Sequence, residues 1–276
     1  MEYFFDADKP HWTAWSRVQK IDVQLQWFRP SEGSDDALPL YYTSLGGFYD
    51  LAEHLVGKHP EHINARGGLM VTPLAAALHG KHFRIAELLH RHGADVNVRG
   101  DENRTLLHAA CVTGTLDIVQ WLLNHGADVN TLSNTPTAPI GSAAAFGHLQ
   151  VVRMLIEYNA DVNVRMKFGE GPLYLAGTNH QNNDHVGIMQ LLLDHGANPN
   201  LRDNNGSTPL HRSSWSSIEA TRLLLKYGAT IDSEDDEGKT PLQLAMEHDV
   251  QDIATCLREH GATIRSEMLD AQVYDG

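Results

Sequence analysis

Cysteine, basic residues and long apolar runs are all scarce in this sequence, and each shortage excludes something. Only Cys111 and Cys256 occur in 276 residues, so no disulfide framework holds the fold, and a reducing, cytoplasmic location is the expectation. The 21 Lys and Arg are outnumbered by 35 Asp and Glu, leaving a net charge of −14. That balance disfavours nucleic-acid phosphates and anionic membrane surfaces, both of which require a basic face. No apolar run approaches the roughly 20 residues that span a bilayer. The start, Met1-Glu2-Tyr3-Phe4-Phe5-Asp6, lacks the basic and apolar segments of a signal peptide.

Catalytic signatures are also missing. Gly238-Lys239-Thr240 resembles the end of a phosphate-binding loop, but Ser233 stands where the loop requires glycine. No Gly-x-Ser-x-Gly elbow and no Gly-x-Gly-x-x-Gly fingerprint is present. Neither cysteine carries a nucleophile signature. The reading is a protein without enzymatic activity and without a cofactor.

What the chain does have is repetition. Gly93-Ala94-Asp95-Val96-Asn97 returns as Gly126-Ala127-Asp128-Val129-Asn130 and as Asn159-Ala160-Asp161-Val162-Asn163, with weaker copies from Gly196, Gly228 and Gly261. A second element, best seen as Thr72-Pro73-Leu74, Thr208-Pro209-Leu210-His211 and Thr240-Pro241-Leu242, aligns Pro39, Pro73, Leu106, Pro139, Pro172, Pro209 and Pro241. The spacings are 34, 33, 33, 33, 37 and 32 residues, the period of a stacked-repeat architecture. In each unit Thr caps a helix, Pro fits its first turn and Leu enters the core. A short Ala-rich helix, a Gly-containing turn and a second helix with an apolar stripe follow. The second helix ends at Gly, or at Asn159, the next-best residue for a left-handed cap.

These elements, in this order, resemble the ankyrin repeat over about residues 38–264. The resemblance implies an all-α repeat solenoid of about seven helix–turn–helix units joined by β-hairpins, with a concave groove that binds another protein. Pro39–Phe48 and Gly80–His90 further resemble the ankyrin tails of fungal NACHT-type receptor proteins. The Trp-rich segment before them, residues 1–37, is expected to form a helical cap with its linker, and residues 265–276 a short tail.

Eight of the seventeen histidines fall at fixed repeat positions: His82, His92, His108, His125, His148, His195, His211 and His260. They are read as scaffold, and no metal site is expected. An alternative places a small molecule or metal at the Trp-rich cap, or at His180 and His185 in the longer fifth repeat; a further one is a non-canonical enzyme grafted on the repeat scaffold.

Register puts the third, sixth and seventh residues after each aligned Pro on the partner-facing side. Those positions hold Tyr42, Ala76, Phe146, Arg212 and Trp215, and aromatic and Arg side chains dominate binding hot spots. Between repeats, Arg66, Arg99, Arg104, Arg165, Lys167 and Arg202 form a basic edge suited to an acidic peptide. Met166, Lys167 and Phe168 make an unusual apolar tip. The expectation is therefore a monomeric interaction module whose protein or peptide partner contacts Tyr42, Phe146, Arg165, Lys167, Phe168, Arg212 and Trp215.

Overall fold

The structure is a computed structural model that describes residues 39–67, 71–177 and 184–263. The expected N-terminal cap and the C-terminal tail lie outside the described residues. The chain divides into two compact units at Gly100 and Asp101.

Among the described residues the first unit contains two helix pairs, α1 (Pro39–Gly46) with α2 (Tyr49–Lys58), and α3 (Pro73–His79) with α4 (Phe83–Arg91). The second contains five more: α5 (Leu106–Thr113) with α6 (Leu116–Asn124), α7 (Pro139–Ala145) with α8 (Leu149–Glu157), and α9 (Pro172–Ala176) with α10 (Asp184–Asp194). The last two are α11 (Pro209–Ser213) with α12 (Ile218–Lys226), and α13 (Pro241–Glu247) with α14 (Gln251–Glu259). Every first helix begins on the aligned Pro or Leu. Within each unit, first helices pack on first helices and second helices on second helices, in two layers.

Composition explains the layers. First helices are only five to eight residues long, too short to be stable alone, and are nearly all buried. Ala75, Ala76 and Ala77 are each at most 4% exposed, so neighbouring helices approach closely. Ala76, expected on the open side, is fully buried in the helix that lies against α1; alanine at that position lets the helices close the gap. Second helices bury one stripe, as with Val151, Val152 and Leu155 in α8 or Ile253, Ala254, Cys256 and Leu257 in α14.

Among the described residues no strand ladder joins successive pairs. The fingers between them, expected as β-hairpins, are tight turns closed by one recurring backbone bond. The N–H six residues before each aligned Pro donates to the carbonyl two before it: Gly67 to Val71, Ser133 to Thr137, Met166 to Glu170, Asp203 to Ser207, Asp235 to Lys239. Side chains take the amides a ladder would use. Asp203 Oδ1 accepts from Asn205 N and Ser207 N, and Asp235 Oδ1 from Glu237 N and Lys239 N, all at 2.8–3.0 Å.

Neighbouring repeats are fastened by side chains reaching about one repeat ahead or back. In three copies, at Asn130, Asn163 and Asn200, the closing Asn donates to one carbonyl of the next repeat and accepts from an N–H two residues on. Asn130 binds Asn159 O at 3.1 Å and Asp161 N at 2.8 Å; Asn163 binds Gly196 O and Asn198 N; Asn200 binds Gly228 O and Thr230 N. Asn64 does the same with Gly93 O and Asp95 N. At the inter-helix turns, His148 donates from Nε2 to Val112 O at 3.0 Å. Its ring lies on Gly114, whose φ of +69° and lack of room (an added Cβ would meet the ring at 2.5 Å) both require glycine. His82 repeats this with Leu45 O over Gly47.

His108 and His211 work twice. Nδ1 accepts from the N–H of Thr105 or Thr208 to complete the helix cap, while Nε2 donates to the next finger at Thr137 O or Lys239 O. This bonding needs the neutral ring. Burial accordingly pushes His211 below its ordinary value, against smaller raising effects from Lys239 and Asp235. In the last pair Gln243 holds the same position and supplies the same cap acceptor to Thr240 N.

Two outcomes are expected. Asn163→Ala, which removes both bonds, should lower unfolding free energy in urea by about 1–3 kcal/mol, whereas Asn163→Asp, keeping the acceptor, should cost less. Because the folded pKa of His211 is depressed, its contribution to stability is complete above the unfolded value of about 6.5 and is lost as pH falls below it. His211→Gln should lower stability at pH 7.5 but flatten the loss between pH 6.5 and 5, as read by thermal melts across that range.

Candidate functional site

The exposed chemistry lies on the first-helix layer of the second unit. The positions assigned there by register are open: Val112 is 37% and Phe146 50% exposed, and Ala109, Thr113, Glu247 and His248 are exposed too. Most of this face is small or polar, with Ala145 and Ser142 half-exposed, so the large side chains stand out.

Phe146 occupies the C-cap of α7. Its ring runs parallel to His148 at 6.4 Å, and His148 is pinned to Val112 O, so the phenyl ring is held from one side and open on the other. Arg212 and Trp215 form a built pair on α11 and the turn after it. The guanidinium carbon stands 3.9 Å from the Trp215 ring centroid, and His248 covers the same indole at 5.3 Å. A planar guanidinium stacks well on an aromatic face, and its fork matches the geometry of a carboxylate. Burial lowers Arg212 from its ordinary value, partly offset by Tyr174; at neutral pH it remains a cation.

Tyr174 was not singled out by the sequence, although it occupies the position of His108 and His211. It is half-buried, its phenol raised by burial and by the charge of Asp203 in the next finger. The signal was present in the register, as an aromatic in a histidine slot.

The finger after α8 behaves differently from the sequence expectation. Lys167 and Phe168 are exposed, Phe168 at 58%, with Lys167 Nζ 5.0 Å from its ring centroid. Met166, expected to be exposed with them, is buried at 7%. Its thioether fills the space above Gly141, where a Cβ would overlap Cε. Gly141 stands in the histidine slot of its repeat, so Met166 plugs from the next finger the volume that histidine fills elsewhere.

The basic edge is largely committed to structure. Arg66 donates to Arg99 O and Arg202 to Glu234 O, both at 2.7 Å. Arg104 pairs with Glu102 at 3.0 Å, and the exposed Arg165 lies beside Gly169. Tyr42 is half-exposed in the first unit, edge-on to buried Tyr41 at 5.2 Å. His180 lies outside the described residues, and His185 is buried in the first turn of α10. Cys111 is fully buried, and burial pushes its thiol far up, which leaves it protonated and a poor nucleophile. No described helix is long and apolar enough to cross a membrane.

A family model described as ankyrin repeats (3 copies) matches residues 40–133, 131–203 and 181–268. With most of its length matched, the chain belongs to the ankyrin-repeat family. No curated protein matches it.

The Met166 plug makes a coupled prediction. Met166→Ala should cost about 2–3 kcal/mol through the cavity left above Gly141. Gly141→Ala in that background should recover part of the loss, whereas alone it displaces Met166 and destabilises; a double-mutant cycle by urea unfolding reads the coupling.

Proposed function

We propose that this protein is a non-catalytic interaction module, its seven helix pairs acting as seven ankyrin repeats that hold a protein or peptide partner against the first-helix layer. Ankyrin repeats are generally protein-interaction modules, and the resemblance to the tails of NACHT-type receptors belongs to the same reading. The observation that carries it is the Arg212–Trp215 stack, held by His248 on a face otherwise lined by small residues. Such a pair gives a partner a flat apolar surface and a directed charge at one point. Phe146, open on one side, is the second anchor, and Lys167 with Phe168 offers a third contact at a finger tip. Tyr42 belongs to the first unit and is the weakest of the proposed contacts. An acidic partner would meet Arg212 at this stack, where its guanidinium is set against the indole of Trp215.

Phe146→Ala and Trp215→Ala remove rings that are at least partly exposed, so folding should persist. Binding of a partner captured by the wild-type protein should weaken by tenfold or more for each variant, measured by titration against the isolated partner. Unchanged affinity with an intact circular dichroism melt would show that this face is not the contact.

A further inference from the structure

One copy of the loop that follows a second helix is chemically unlike the rest. His59-Pro60-Glu61-His62-Ile63-Asn64 occupies the register of His92-Gly93-Ala94-Asp95-Val96-Asn97. Its ends are unchanged: Asn64 makes the usual clamp to Gly93 O and Asp95 N. Of the four residues between, Ile63 replaces Val and the first three have become Pro, Glu and His.

Pro60 begins a 3₁₀ turn, Pro60–His62, with His62 N donating to His59 O. The turn folds His62 back over His59, so that the two imidazoles lie 5.1 Å apart and 14° from parallel. Glu61 Oε1 sits 3.1 Å from His59 Nδ1 and 3.8 Å from His62 Nε2. All three candidate ligand atoms fall within 4.8 Å of one another.

The comparison with the other copies is decisive. In His92, His125, His195 and His260, Nδ1 is spent on the carbonyl four residues back, at 2.6–2.8 Å. In His59 the same atom faces Glu61 instead. The Asp replaced by His62 accepts, in other copies, from the N–H two residues on. Two scaffold positions have thus exchanged a local backbone bond for nitrogens turned toward one carboxylate.

We propose that His59, Glu61 and His62 form a binding site for a divalent transition metal, zinc being the best match. Two imidazoles and a carboxylate are a donor set that zinc accepts, leaving a fourth position for water. Ligands at about 2.1 Å in a tetrahedron stand roughly 3.4 Å apart, between the two separations observed. A metal lies in the plane of each ring it binds, so one of the near-parallel imidazoles turns about its Cβ–Cγ bond on loading. Both side chains are about one-third exposed, at 35% and 32%, which leaves that rotation free. Imidazole is a poor ligand for the oxygen-seeking Ca²⁺ and Mg²⁺, so the donor set disfavours both.

The test is zinc titration by calorimetry at pH 7.5, comparing the wild-type chain with His62→Asp, which restores the residue that Asp95, Asp128 and Asp161 carry at this register. His62→Asp should fold as stably as wild type and lack one zinc equivalent; His59→Ala/His62→Ala should lack the same one, and Glu61→Gln should weaken it by tenfold or more. Cobalt substitution adds a direct readout, since tetrahedral d–d absorption should appear in wild type and disappear in His62→Asp. Equal zinc stoichiometry and affinity in wild type and His62→Asp would overturn the proposal, as would stoichiometric binding of Ca²⁺ with the same variant dependence.

Discussion

A carboxamide carries a donor and an acceptor side by side, the spacing needed to bridge a carbonyl and an N–H on a neighbouring turn. Asn64, Asn130, Asn163 and Asn200 each use it to bind the following repeat. The rest of the structure depends on such clamps, because no helix pair here stands alone. A first helix of five to eight residues cannot offset its own ordering entropy. It persists because its alanines are buried between neighbours and its fingers are fastened ahead and behind. Stability in such an array is a sum of repeat and junction contributions, and here the junction contribution is written in a few identifiable side chains.

Much of this was legible in the sequence. The aligned prolines marked the start of each first helix, and Asn159 takes a left-handed φ of +64° where other copies have glycine. Periodicity is visible because a repeated residue has a repeated reason. What escaped were substitutions compensated elsewhere. Nothing near Met166 announces that it is buried; the explanation is Gly141, twenty-five residues earlier, where a histidine is missing. Likewise Arg66 and Arg202 read as a charged edge until their bonds to carbonyls about 32 residues ahead are seen. The His59–Glu61–His62 group was overlooked because His62 stands where an aspartate was expected and Pro60 hid the match to glycine.

The slot two residues after each aligned proline summarises how one scaffold tolerates variation. It holds Tyr41, Ala75, His108, Gly141, Tyr174, His211 and Gln243 in turn. His108 and His211 cap a helix and reach a finger; the Tyr174 phenol is raised by burial and by the charge of Asp203 in the next finger; Gln243 caps; Gly141 yields its volume to Met166. Scaffold and recognition are therefore not carried by separate residues. Tyr174 and Arg212 interact across adjacent repeats, so the candidate face rests directly on the element that varies most.

The last described clamp departs from the rule in a telling way. Asp232 replaces asparagine, and its carboxylate accepts from both the N–H and the hydroxyl of Thr263. A carboxylate there suits a threonine in the next repeat and would repel the aspartate that Asp95 or Asp161 would bring. The repeats are thus not interchangeable bricks. Each carries a chemical address for its successor, so duplication or shuffling of units within this chain is constrained by adjacency as well as by packing.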